Sequence, residues 1–64
     1  MTIGKRIAQF LKDNGIVQSK LAERIGLNNK TLNAKLNGRN RLFADEIEKI
    51  CLDLKVSPEE FIKH

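Results

Sequence analysis

The stretch QSKLAERIGLNNKTLNAKLNG, residues 18–38, decides the fold of this chain. Its apolar residues recur at helical spacing in two short runs, and Gly26 stands between the runs, where a left-handed residue can end a helix. Asn28 is a good N-cap for the second run. Ala22 is small enough to let two helices cross closely at that position. The stretch therefore predicts a helix-turn-helix over residues 18–37.

Helical spacing continues on both sides of this stretch, and no segment alternates with a period of two. A first helix is predicted after Thr2, and a fourth from about Asp45 to Leu54. A fifth, short helix is predicted from an N-cap, a first-turn proline, a capping-box glutamate and two hydrophobic-staple residues. These residues are Ser57, Pro58, Glu60, Val56 and Phe61. The chain is thus expected to form a single all-α domain over residues 1–64, a compact bundle of five helices.

Charge is distributed unevenly along the chain, which has a formal net charge of +4. Residues 1–43 carry nine Lys/Arg and two acids, whereas residues 44–64 carry three Lys and six acids. No acid occurs between Arg24 and Asp45. A basic half set against an acidic half favours a surface that faces a polyanion. The alternative is an ordinary solvated face of lysines and arginines.

The cysteine and histidine content excludes several classes of function. Cys51 is the only cysteine and His64 the only histidine, so neither an internal disulfide nor a zinc site of the usual four Cys/His ligands can form. No nucleophile–base pair and no Gly-rich phosphate loop are present, and Cys51 is expected in the core. We therefore expect no enzymatic activity, no cofactor, no metal and no small-molecule ligand. The absence of a signal peptide and of long apolar runs predicts a cytoplasmic location without a membrane partner.

Several short segments, taken in order, resemble one family. They are IGKRI at residues 3–7, LAERIGL at 21–27, TL at 31–32, NG at 37–38 and VSPEE at 56–60. Together they resemble the lambda-repressor-like (Cro/XRE-type) helix-turn-helix family, and the arrangement is similar to small phage or bacterial regulators. The chain departs from that family at Val17, where a Ser or Thr cap is usual. It departs again at Lys35 and Leu36, where an aromatic residue and a Glu are common, which leaves the roll of the third helix open.

The third helix presents a polar face to solvent if Leu32 and Leu36 point inward. At about 100° per residue, the opposite face is centred on Lys30 and Ala34. An Asn in mid-helix on an exposed side costs helix propensity, which favours a functional reason for Asn33. Asn pairs with adenine, Lys with guanine, and Ala offers a methyl contact to thymine. The residues predicted to read bases are Asn29, Lys30, Asn33 and Ala34.

A second set of residues is predicted to contact phosphate or to flank the reading face. The resemblance implies that Gln18, at the start of the second helix, touches a phosphate, and that Asn29, at the start of the third, points into the groove. The loop after the third helix suits phosphate or minor-groove contact, although Asn37 is also explained as a cap. This second set comprises Gln18, Thr31, Lys35, Asn37, Arg39, Asn40 and Arg41.

The sequence thus favours a transcriptional regulator that binds duplex DNA sequence-specifically, acts as a repressor and pairs as a weak homodimer on a palindromic operator. Dimerisation is predicted through Ile62, because Phe61 is expected in the core and the next side chain points about 100° away. The alternative is that Ile62 caps the core of a monomer. The chain is either a minimal regulator or the DNA-binding part of a longer repressor.

Two other functions compete with this interpretation. One is a protein-interaction module, such as an antirepressor or an antitoxin, that keeps the fold without specific DNA binding; the acid-free basic stretch argues against it. The other is RNA binding, which is less favoured because Phe10, Phe43 and Phe61 all fall on apolar faces and leave no exposed aromatic to stack on bases.

Overall fold

The computed structural model describes residues 2–62, which form four α-helices and no strand. The helices are α1 (Ile3–Asp13), α2 (Gln18–Ile25), α3 (Asn29–Leu36) and α4 (Ala44–Leu54), and a single 3₁₀ turn follows at Pro58–Glu60. The predicted all-α class is confirmed. None of the helices among the described residues has the length and apolar character needed to cross a bilayer.

The predicted bundle of five helices is not confirmed, because the segment after Ser57, where a fifth short helix was expected, forms only one 3₁₀ turn. Ser57 does cap this turn, since its hydroxyl accepts a hydrogen bond from the Glu59 N–H at 3.3 Å. The Phe61 side chain is 2% exposed and packs edge-on against Phe10, with ring centroids 5.5 Å apart. Arg6 Nη1 donates to the Phe61 carbonyl at 3.2 Å, so tertiary contacts, rather than another helical turn, hold this part of the chain.

Local signals fix the ends of the helices. Thr2 accepts from the Lys5 N–H at 3.3 Å and begins α1. Val17 precedes α2 without a side-chain cap, in keeping with the departure noted at that position. Gly26 ends α2 in the left-handed region with φ 78°, a conformation that glycine adopts without strain. The Leu27 N–H then bonds to the Ala22 carbonyl at 2.8 Å and turns the chain into α3.

One apolar core joins all these elements. α3 packs against both α1 and α2, while α4 packs against α2 and the 3₁₀ turn. This arrangement leaves α3 at one side of the bundle, with one face covered and the other in solvent. The buried residues of the core are Ile7, Leu11, Leu21, Ala22, Leu32, Leu36, Ile50, Cys51 and Phe61.

Candidate nucleic-acid interface

α3 presents a polar face made of short and flexible side chains. Leu32 and Leu36 are buried, as expected for the inward side of this helix. Lys30 and Asn33 are exposed on the other side, and Ala34, one turn after Lys30, is half-buried. Asn28 caps the helix by accepting from the Lys30 N–H at 2.7 Å, which fixes where the exposed face begins. The structure therefore brings the residues predicted to read bases to one surface.

A side-chain hydrogen bond links the first turns of α2 and α3. Gln18 Nε2 donates to Asn29 Oδ1 at 3.1 Å. Asn29 is exposed, whereas Gln18 is half-buried against it. The contact restricts the Asn29 amide while leaving its NH₂ group and the second lone pair of Oδ1 available. An amide oriented in this way is suited to donate to one acceptor and accept from one donor on a base edge.

Lys35 does not lie where the sequence placed it, and its prediction as a phosphate contact is corrected. The residue is only 9% exposed. Its Nζ donates to Glu46 Oε1 and to the Arg41 carbonyl, each at 3.0 Å, and lies 4.9 Å from the centre of the Phe43 ring. The roll of α3 places Lys35 on the side that faces the start of α4, because Leu32 and Leu36 share that buried side. Its charge is therefore directed into the protein.

The loop between α3 and α4 presents the remaining basic residues. Gly38 has φ 84° and turns the chain away from α3. The Ala34 carbonyl accepts from the Arg39 N–H at 2.9 Å and from the Asn40 N–H at 3.2 Å, so the loop folds back on the helix. The side chains of Asn37, Arg39, Asn40 and Arg41 are all exposed, and Thr31 is half-buried.

Glu46 contacts Lys35 and the Phe43 N–H, a role that the sequence alone did not indicate. Burial alone would raise the pKa of its carboxyl, but the Phe43 N–H and the Lys35 ammonium outweigh this effect and hold the pKa below its ordinary value of 4.5. The available signal was a lysine at the border between the polar and apolar sides of α3, followed by acids in the first turn of the next helix. A charged residue on a buried side needs a partner, and only the tertiary structure shows which acid supplies it.

Metal-ligating groups and the cysteine thiol are two further features of residues 2–62. No group of three or more His, Cys, Asp or Glu side chains within residues 2–62 is placed to hold a metal ion. Cys51 is buried, and burial raises the pKa of its thiol above the ordinary value of 9.0, which disfavours the thiolate that a nucleophile needs.

A comparison with models of protein families matches residues 6–64 to the Cro/C1-type HTH DNA-binding domain. Comparisons with curated proteins and with solved structures found no significant match. The family match covers nearly the whole chain and includes α2, α3 and the loop that follows them. The resemblance drawn from the sequence segments is confirmed: the chain belongs to the Cro/C1-type helix-turn-helix family of DNA-binding domains.

Proposed function

We propose that this protein binds duplex DNA sequence-specifically by placing α3 in the major groove, and that it represses transcription by occupying an operator. The observation that carries the proposal is the exposed face of α3, where Asn29, Lys30 and Asn33 lie together on a stretch without acids. A major groove admits one α-helix, and these side chains match the donors and acceptors of adenine and guanine. Ala34 provides a small apolar surface for a thymine methyl group.

Phosphate contacts would flank this face on two sides. Gln18 lies at the start of α2, beside the leading end of α3, and is therefore suited to contact one strand. The exposed loop lies beyond the other end of α3 and would contact the opposite strand or the adjacent minor groove. The residues proposed for these contacts are Gln18, Thr31, Asn37, Arg39, Asn40 and Arg41, without Lys35.

We further propose that two copies pair through an apolar groove between α4 and the 3₁₀ turn. This groove of about 290 Å³ is lined by Ala44, Ile47, Glu48, Pro58 and Ile62. Ile62 is 53% exposed, while its neighbour Phe61 fills the core. A small apolar contact of this kind would be weak alone and strengthened when a palindromic operator holds both copies together.

Selection of bound sequences from random duplex DNA tests the proposal directly. We expect a short inverted repeat, and an affinity whose logarithm falls with log salt by about 0.9 for each phosphate neutralised. Arg41→Ala should reduce the magnitude of that slope by about 0.9, the value for one phosphate contact. Lys49→Ala, on the acidic half, should leave the slope unchanged. An affinity that hardly changes with salt, or equal binding to all sequences, would contradict the proposal. An absence of binding to any duplex would favour a protein-interaction module.

A further inference from the structure

We propose that Lys35 is a positioning residue for DNA binding: it fixes the loop of residues 37–43 and thereby the backbone from which Arg39 and Arg41 reach phosphate. The inference rests on the proposed function, since it concerns how the same surface is held in shape. It assigns a role to a basic residue of the recognition helix that does not itself face the DNA.

The ammonium group of Lys35 joins three parts of the chain. It donates to the backbone carbonyl of Arg41 in the loop and to Glu46 Oε1 in the first turn of α4. Phe43 lies in the chain between these two segments, and the centre of its ring is 4.9 Å from the Lys35 Nζ. Glu46 Oε1 also accepts from the Phe43 N–H at 2.9 Å, so a single carboxylate oxygen caps α4 and binds Lys35. The end of the loop is therefore tied to the last turn of α3.

The beginning of the loop is tied to the same turn by its backbone. The Ala34 carbonyl accepts from the N–H groups of Arg39 and Asn40. Residues 34 and 35 of α3 thus hold the loop at both ends, through one carbonyl and one ammonium. The anchors hold the backbone of Arg39 and Arg41, and the side chains of both arginines remain exposed. A loop restrained in this way loses less conformational freedom when its side chains bind, so the restraint favours affinity.

Packing alone does not explain a lysine at this position. A buried ion pair contributes little net stability, because desolvation of both charges offsets their attraction, and an apolar residue of similar volume often packs as well. An apolar side chain could not donate to the Arg41 carbonyl. What the lysine adds is a fixed path of the loop relative to α3. Since α3 also carries the base-reading face, base contacts and phosphate contacts belong to one rigid unit.

The decisive experiment removes the ammonium while keeping an unbranched apolar side chain of nearly the same length. Lys35→Met should weaken binding to the selected operator by roughly 3- to 30-fold, the range expected when a preorganised loop must be ordered on binding. In an Arg39→Ala/Arg41→Ala background the same change should cost less than about twofold, because the residues through which Lys35 acts are absent. Lys49→Met serves as the control for loss of one lysine charge and should leave affinity unchanged.

Two results would overturn the proposal. Equal losses in both backgrounds, with a further decrease in the salt slope of about 0.9, would show that Lys35 contacts phosphate itself. Unchanged affinity at a temperature well below unfolding, together with a lowered Tm, would show a purely structural role.

A measurement on the free protein separates this inference from the proposed function. Backbone ¹⁵N relaxation should show increased motion at the amides of residues 38–43 in Lys35→Met, and no change in α1. If the parent protein binds no duplex DNA, the proposed function fails, while the relaxation data still decide whether Lys35 holds the loop. If Lys35→Met does not fold, Glu46→Gln provides the second variant, because it removes the charge and keeps an oxygen for the Phe43 N–H. Unchanged loop motion in the variant that folds would contradict the inference.

Discussion

Gly4 of α1 lies against the backbone of Leu36 in the last turn of α3: a Cβ built at Gly4 would lie 2.8 Å from the Leu36 carbonyl oxygen. The Lys35 carbonyl oxygen would be 2.9 Å from the same atom. A Cβ atom essentially never approaches backbone this closely, so the two helices cross at a distance that only glycine permits. The crossing therefore holds the last turn of α3, which leads into the loop with Arg39 and Arg41, against α1.

We therefore expect Gly4→Ala to destabilise the protein by about 1–3 kcal/mol, since α1 and α3 must move apart. Alanine has a higher helix propensity than glycine by up to about 1 kcal/mol, and the clash should exceed this gain. Urea unfolding followed by circular dichroism measures the difference. Lys5→Ala, at the exposed neighbouring position, is the matched control and should change stability by less than about 0.5 kcal/mol. A Gly4→Ala protein as stable as the parent would show that the crossing is looser than described.

Phe61 and Ile62 are adjacent and should respond oppositely to truncation. Phe61→Ala should destabilise the fold by about 3–5 kcal/mol, because the ring is buried against Phe10. Ile62→Ala should change stability little but weaken binding to a palindrome relative to a half-site. Thermal unfolding and sedimentation with operator DNA measure the two effects. If an Ile62→Asp protein bound the palindrome as tightly as the parent, the proposed dimer contact through Ile62 would be contradicted.

The stability of the loop anchor should depend on pH through Glu46. Its pKa in the folded protein lies below the ordinary value of 4.5, so its contribution to stability is present above that value and is lost as pH falls through the folded pKa. Glu46→Gln should therefore flatten the stability curve between about pH 5 and pH 3. Glu48→Gln, an exposed change of the same charge on α4, is the control. If the free energy of unfolding fell equally with pH in the Glu46→Gln protein and the parent, this assignment would be contradicted.

Truncation of a base-reading residue and of a phosphate-contacting residue should reduce DNA affinity in different ways. Lys30→Ala and Asn33→Ala should each cost roughly 1–3 kcal/mol on the best site and relax preference at one or two positions. Gln18→Ala should weaken binding more uniformly, with some loss of preference at the base read by Asn29, since Gln18 restricts that amide. Affinities for a set of single-base operator variants measure these patterns. Uniform weakening by Asn33→Ala would assign that residue to phosphate instead.

Cys51 should react with thiol reagents only when the protein opens. It is buried in the core, and burial raises the pKa of its thiol. The modification rate in the native protein should therefore be slow and should rise with denaturant in parallel with unfolding. Mass spectrometry over a time course measures this rate, with the urea-unfolded protein as the reference. Labelling at the same rate in both states would place the thiol at the surface.

The positions and ends of the four α-helices were predictable from the sequence because the interactions that set them are local. Gly26 ends α2 and Asn28 begins α3 through backbone conformation and capping within a few residues. The inward pair Leu32 and Leu36 follows from helical periodicity in the same way. Periodicity also predicted which residues of α3 are exposed. The role expected for Gln18 came from the family resemblance.

Tertiary structure alone decided which groups meet across the bundle. Lys35 flanks the polar face when α3 is considered by itself, and a lysine is ordinarily solvated. It is buried because Glu46, in the first turn of α4, and Phe43, just before that helix, pack against it. Helical periodicity does not predict contacts between residues this far apart in the sequence. The contact of Gly4 with Leu36 has the same origin. Periodicity determines which side of a helix is apolar, whereas the partner of each side chain depends on how the helices cross.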